Sequence, residues 1–534
     1  MATDRVGPDR VERWRQRRRQ GPLSGESHAV VGGGIGWLST AAYLAAAGAD
    51  VTVFERHDRL GDVAGRIEDD GFRFDTGPSW YLMPDVFERF FGHFDRSPDD
   101  YFELVHLDPH YRLLWKNETP NADPGPSDRL DAVGDREQMR SIFESYEAGA
   151  GEAFDDYLDE AEFTYRVGME RFVYEDRPRF RDYVDLDVAR SARGIALLKT
   201  MQEHVESYVE HPKLQQVLQY TLVFLGGSPH NTPALYNLMG HVDFNLGVYY
   251  PDEGGIYRLV EALADLGGEH GAAFHTGTPV EGLSPASDGV RVTTPGGEDV
   301  YDRVVANANP AHVERDLLPS NLGRGDGYWD SKTYAPSAFM LYLGVEGDVD
   351  PLTHHSLVLP SDWDPHFESI FGDPAWPEDP AYYVNVPSLT DDTVAPEGHH
   401  TVVVLVPIAP GLDDGPEVRE RYRDQVLDDL ATHAGVVLRG RIEVEHRVAV
   451  SDFAERYRAP QGTALGLAHT LRQTGPLRPS HRSPVEGLYY TGAYTTPGIG
   501  MPMGIISAEH TADAVIEDAG PPSGLTARLA NLVS

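Results

Sequence analysis

The 534-residue chain contains no cysteine. That excludes disulfides, thiol redox chemistry, thiolate metal sites and a cysteinyl flavin bond. Lysine is nearly absent: Lys116, Lys199, Lys213 and Lys332 are the four among 45 basic residues, so the positive charge is almost all guanidinium. Against it stand 85 acidic residues, for a net charge of −40. Such a surface repels nucleic acid and suits molar salt, where a Debye length of ~3 Å screens self-repulsion. The composition resembles that of halophile proteins. No stretch approaches the ~18 to 20 uninterrupted apolar residues of a membrane span, and no apolar segment marks a secretory signal at the N-terminus. A cytoplasmic, multi-domain protein is expected, since single cores stop growing near ~250 to 300 residues.

What is present is arranged in alternation. Residues 1–27 carry RVERWRQRRRQ and read as a disordered basic arm, a contact for anionic lipid or a dispensable tail. Residues 28–115 open with strand, glycine turn, helix and strand. From 116 to 249 the pattern is mainly helical, with Met201, Val205, Tyr208 and Val209 at helical spacing. Short runs such as GVRVTT (289–294) and DRVVANANP (302–310) make 250–310 a strand-rich block. SAFMLYLGV (337–345) and HTVVVLVPIAP (400–410) are stronger strand candidates within 311–480. A strand, a loop and a helix close the ordered chain at 481–518, before a tail at 519–534.

The stretch VVGGGIGWLSTAAYLAAAGADVTVFER, residues 30–56, carries the first chemistry. An apolar strand runs into Gly32, Gly34 and Gly36. Ile35, Leu38, Ala42 and Ala45 then share one helical face, Gly48 stops the helix, and a second strand ends on Glu55, followed by Arg56. An acid about twenty residues beyond the glycines places a carboxylate on a ribose hydroxyl while the pyrophosphate lies over the helix N-terminus. Trp37 stands where the pattern wants a third glycine. Because that glycine lets helix and strand pack closely, the indole is expected to turn outward or push the helix away.

The following segment, RLGDVAGRIEDDGFRFDTGPSWYLMP, resembles the stretch after the second strand in flavoproteins of the amine oxidase and phytoene desaturase superfamily, where a G-G-R group lies near the flavin nucleotide. Gly61 is kept, but Asp62 and Val63 occupy the second glycine and the arginine. TGAYTTPGIGMPMGIISAEHTADAV (491–515) resembles the closing signature of carotenoid desaturases, the phytoene desaturase family, as do FDTGPSW (74–80) and GGSPHNTPALYNLMGHVDFNLGVYYPDEGGIYRLVEAL (226–263). The resemblance spans residues 28–518.

It implies an α/β protein: a Rossmann-like FAD-binding domain of the glutathione reductase type in two layers, interleaved with an α+β substrate domain and a helical membrane-facing insert. FAD-binding residues would be Gly32, Gly34, Gly36, Glu55, Arg56 and Gly61 at one end. At the other they would be Gly492, Ala493, Thr496, Pro497, Gly498, Gly500 and Pro502. No metal-ligating set is expected. The implied reaction removes two hydrogens from an acyclic carotenoid, passing hydride to the flavin and a proton to a base or water, so that the protein mainly orients substrate and excludes water. Asp75, Thr76 and Ser79 are placed near the flavin ring as catalytic candidates, with Asp75 also readable as a turn former. WYLMPDVFERFF, YTLVFL and FNLGVYY are candidates for a hydrocarbon tunnel, or simply core. The substrate would be reached from the membrane surface as a peripheral protein, and the electron acceptor would be a quinone or oxygen. The competing readings are a flavin amine oxidase and a pseudoenzyme that has lost FAD through Trp37, Asp62 and Val63. Departures costing about 1 to 2 kcal/mol each lead to an expectation of weakened, substoichiometric FAD binding.

Overall fold

The computed structural model describes residues 8–116, 129–177, 199–222, 226–470 and 472–520. Five short strands align in parallel in the order Leu488–Tyr490, Arg303–Ala306, Ser27–Val31, Asp50–Phe54 and Ala273–His275. Ser27–Val31 is central, its His28 paired with Arg303 on one side and Val51 on the other. Parallel neighbours need a crossover, and helix Ile35–Ala46 supplies the first one. Because strand side chains alternate, Val30 joins the core under the helices while Ala29 and Val31 join a second core on the opposite face. Helices Tyr257–Glu269 and Met501–Ala519 pack against Ile35–Ala46 on the first face. An antiparallel meander, Gly282–Ala286, Gly289–Thr294 and Gly297–Tyr301, covers the other with Leu283, Val290 and Val292. The domain therefore has three layers where two were expected, since both faces of a parallel sheet require cover.

The second sheet has seven strands in the order Ile442–Val448, Ser337–Glu346, His399–Ile408, Tyr382–Asn385, His355–Leu359, Tyr111–Trp115 and Arg129–Ala132. Ser337–Glu346 pairs antiparallel along its whole length with His399–Ile408, while His355–Leu359 runs parallel to Tyr111–Trp115. Tyr111–Trp115 was assigned by sequence to the first nucleotide-binding block. Its five buried residues carry no alternation that distinguishes one sheet from another, and the structure moves it to the substrate domain. Helices Arg136–Tyr146, Ala150–Gly168 and Pro212–Gln219 pack on the face of this sheet that carries Tyr111, Leu113 and Trp115. The helical insert is thus built onto the substrate sheet.

Three other expectations concern the periphery. The basic arm is not disordered over its length: residues 8–19 form the helix Pro8–Arg19. Its Trp14 is buried 4.7 Å from the ring of Tyr43 and 5.8 Å from that of His93, and Arg15 donates to the Gly92 carbonyl at 2.7 Å. One tryptophan among arginines gives no periodic signal, yet it inserts into a prepared aromatic pocket. The tail beyond 520, and the part of YTLVFL at 223–225, lie outside the described residues. Among the described residues, the large exposed apolar side chains are Val63, Val300, Leu389, Val437 and Leu477, none of them in the helical insert, and no helix is long and apolar enough to cross a membrane.

Candidate active site

The glycine turn is built as its spacing suggests. Gly32 has φ +115°, a conformation open to glycine and costly for other residues. Gly34 stands extended at the start of helix Ile35–Ala46 with no side-chain cap, so the first amides of the helix remain available to an anion. Gly36 lies where three segments converge: a Cβ there would come within 3.1 Å of Asn307 Nδ2 and 3.5 Å of the Gly492 Cα. Glu55, only 2% exposed, accepts the amide of His57 at 2.7 Å, and burial pushes its carboxyl up to about 7.

Trp37 does not turn outward. It is 4% exposed, and its ring lies so close over Gly32 that a Cβ on that glycine would fall 2.0 Å from the indole. The missing side chain at 32 makes the room that the missing glycine at 37 would have made.

Asp62 and Val63 behave differently. Asp62 has φ +54°, which shows why a glycine suits this place, and aspartate is among the few residues that tolerate it. Its Cβ faces Gly34, 3.2 Å from where a Cβ would stand. Burial raises its carboxyl to about 6 against the pull of Arg56 and Arg456. The side chain of Val63 is exposed, while its carbonyl oxygen packs so closely on Gly77 that a Cβ there would be 2.2 Å away.

The three catalytic candidates at the DTGPS turn diverge. Asp75 Oδ2 accepts the amide of Ile256 at 2.7 Å, just ahead of helix Tyr257–Glu269. Burial holds its carboxyl near 7, and Oδ1 has no partner. Thr76 stays with the neighbouring loop, its amide bonded to the Gly65 carbonyl at 2.9 Å and Oγ1 3.4 Å from the Val63 carbonyl oxygen. Ser79 reaches the substrate sheet. Its Oγ is 2.9 Å from the Tyr383 hydroxyl, which is 2.6 Å from His355 Nδ1. Trp80 stacks on His355 with centroids 4.0 Å apart and planes 7° from parallel. Burial keeps His355 neutral, its pKa well below the usual value.

The C-terminal loop is fixed from behind. The Gly492 amide donates to Ser507 Oγ at 2.7 Å, and a Cβ on Gly492 would lie 2.0 Å from Asn307 Oδ1. Buried Arg478 donates to the carbonyls of Ala493 at 2.6 Å, Thr495 at 3.0 Å and Leu467 at 3.1 Å; desolvation lowers its pKa to about 10. A Cβ on Gly498 would meet the His469 ring at 2.5 Å, Gly500 precedes the helix Met501–Ala519, and Pro502 lies in its first turn. Thr496, beside Pro497, hydrogen-bonds His481 Nε2 at 2.9 Å and donates to Asp176 at 3.2 Å. Asp176, His481 and His510 bring potential ligand atoms within 4.8 Å of one another, and His481 and Asp176 are knit together through Thr496.

A two-domain molecule with a dinucleotide turn, a glycine-rich loop closing on it and an aromatic sheet beyond invites comparison with known proteins. The family model described as flavin-containing amine oxidoreductase matches residues 38–516. The chain is 60% identical over 500 residues to a carotenoid 3,4-desaturase from Haloarcula japonica, covering 93% of this chain and 99% of that protein. It is 34% identical to a zeta-carotene-forming phytoene desaturase from Myxococcus xanthus, over 90% of this chain and 92% of that one. The chain belongs to the flavin-containing amine oxidoreductase family. Solved members of this fold include an oxidoreductase from Methanosarcina mazei (TM-score 0.58, 17% identity, 92% of this chain and 100% of that one) and a putrescine oxidase bound to putrescine (TM-score 0.58, 15%, 92% and 99%).

The cofactor of this member of the family is FAD. The residues present fit it: the uncapped helix start at Gly34, the buried Glu55 carboxylate and the close contact of Gly36 with Gly492 form a cradle from two ends of the chain. Asn307, Arg478, Tyr383 and His355 were not singled out in the sequence. Each is a polar residue whose role comes from long-range contact; Asn307 lies within the run DRVVANANP, but nothing in that run marks its side chain.

Proposed function

We propose that the chain desaturates an acyclic carotenoid at the 3,4 position. The observation that carries this reading is the 60% identity to the Haloarcula japonica carotenoid 3,4-desaturase over nearly the whole of both chains. FAD, when bound, supplies the two-electron acceptor. The protein's own residues orient a substrate that offers no polar handle and carry away its proton. Trp80, Tyr111, Tyr220 and Tyr383 form a contiguous aromatic cluster in the core of the substrate sheet, an apolar wall behind the DTGPS turn. The path Ser79 Oγ, Tyr383 hydroxyl, His355 Nδ1 holds a continuous hydrogen-bonded line from the DTGPS turn into the substrate sheet. A weak base suffices at its start, because a carbon that has surrendered a hydride releases the neighbouring proton readily. Asp75, anchored to the Ile256 amide, positions the turn.

The substrate is lipophilic, and we assign the protein to the membrane surface as a peripheral enzyme. The test is a reaction of the purified, FAD-supplemented protein with an acyclic carotenoid in liposomes, read by chromatography. A product two hydrogens lighter with a red-shifted spectrum is expected; unchanged carotenoid in the presence of FAD-loaded protein overturns the reading. Ser79→Ala and His355→Asn are expected to lower turnover about 10²- to 10⁴-fold, the range of a single proton-handling group, and to alter the pH profile.

A further inference from the structure

In a chain of net charge −40, an arginine without an acidic partner stands out. Most arginines of the described residues pair with carboxylates, often with two, as Arg315 and Arg482 do. Some do not: Arg478 and Arg441 donate to backbone carbonyls instead, and three others are neighbours. Among the described residues, Arg56, Arg456 and Arg458 have no carboxylate oxygen within 4.0 Å. Arg56 follows the strand that ends at the buried Glu55. Arg456 and Arg458 come from some 400 residues later, at the end of helix Val450–Tyr457.

Backbone contacts bind the two segments. The Arg56 guanidinium donates to the carbonyl of Glu455 at 3.2 Å and to that of Arg456, and Asn309 Nδ2 donates to the Arg458 carbonyl at 3.0 Å. Arg458 itself has φ +52°, a costly backbone for arginine, which turns the chain at this spot. All three side chains are exposed. Burial, with the charges of Arg458 and Arg456, depresses the pKa of Arg56 against the pull of Glu55 and Asp62, and Arg56 and Arg456 are the two cations that act on Asp62. Asp62 in turn lies against Gly34, at the uncapped start of helix Ile35–Ala46. Two acids face the cluster, Glu55 and Asp62, and burial biases both toward the neutral form.

Three exposed guanidiniums gathered by these backbone contacts, with no ion-paired carboxylate and with Asp62 between them and the uncapped helix start, describe a seat for a multiply charged anion. We propose that Arg456 and Arg458 join Arg56 in binding the diphosphate of FAD, supplying from the distal helix the positive charge that Val63 does not. This rests on FAD occupying the glycine turn and not on the identity of the carotenoid.

The test uses the full chain stripped of flavin, with three probes: FAD, ADP and riboflavin. Arg456→Gln with Arg458→Gln is expected to weaken FAD and ADP about 10- to 100-fold, the range for hydrogen bonds to charged groups, and to leave riboflavin, which has no phosphate, unchanged. Lysine at both positions is expected to restore part of the loss, and Val63→Arg in the glutamine background a further part. Melting temperature of the stripped variants should stay that of the wild type, since the side chains are exposed. Equal weakening of riboflavin and ADP overturns the proposal, as does unchanged ADP binding. If the flavin-stripped wild type binds neither FAD nor ADP, the FAD site itself is wrong, a different failure from the one that concerns the two arginines.

Discussion

The front and the back of the proposed flavin cradle are held in opposite ways. At the front, from Gly32 to Val63, charges stand at the surface, a loop residue at positive φ carries a carboxylate, and a tryptophan replaces a glycine. At the back, from Gly492 to Pro502, an interior guanidinium and a set of hydroxyls and imidazoles fix each loop carbonyl and amide. The front can vary because its essential donors are backbone amides, which any side chain supplies. The back cannot, because its geometry depends on buried groups that must all be satisfied together.

The largest effect is expected at the back. Arg478→Met leaves the carbonyls of Ala493, Thr495 and Leu467 without their donor and should cost about 3 to 5 kcal/mol, as when one member of a buried charged network is removed. Thermal unfolding and flavin content measure it, and a variant that melts with the wild type would show that the back is as tolerant as the front.

At the front, Gly32→Ala drives a Cβ into the Trp37 ring. Its cost should fall by about 1 to 3 kcal/mol when Trp37→Gly is present, a coupling of the kind that residues in contact show. Trp37→Gly alone should destabilise through the cavity it leaves. Additive effects would mean that the indole does not depend on the bare Gly32.

Asp62→Gly with Val63→Arg relieves the strained carboxylate and adds a cation, and should tighten FAD about 10-fold for each ~1.4 kcal/mol gained. Equilibrium titration of the stripped chain decides it; an unchanged affinity would place both residues away from the diphosphate.

The smallest effect concerns pH. The carboxyls of Glu55 and Asp62 sit at about 7 and about 6, both raised by burial. An acid raised in the folded state penalises the fold at high pH: the penalty is complete above the raised value and vanishes below the ordinary carboxylate range. Between pH 8 and pH 5 these groups become neutral, so stability should rise as pH falls, and loss of the Asp62 charge should raise FAD affinity by about 2- to 5-fold. Asp62→Asn should flatten part of the change.

Much of this fold could be read in advance because its signals are local. A glycine turn between two short strands and a GIGMP loop before an amphipathic helix each occupy a few consecutive residues, and the alternation of the two domains follows from where such segments recur. The substrate strand Tyr111–Trp115 was misplaced because continuous burial erases periodicity. Trp14 was missed because a single aromatic anchor has no period. At the candidate site, Ser79 was legible from its turn, whereas Tyr383 and His355, some 300 residues away, were not. Nothing in their flanking sequence records that the sheet folds them onto it.

The first described helix also has a mechanical meaning. Arg17 of Pro8–Arg19 meets Asp513 of the last helix at 2.5 Å, across 496 residues of chain. The two helices at the extremes of the described chain are thus joined by an ion pair and lie close together. Their proximity allows new termini elsewhere: a short linker from the last helix to the first, with a cut in an exposed turn such as Pro295–Gly296, should give a rearranged chain that keeps both sheets.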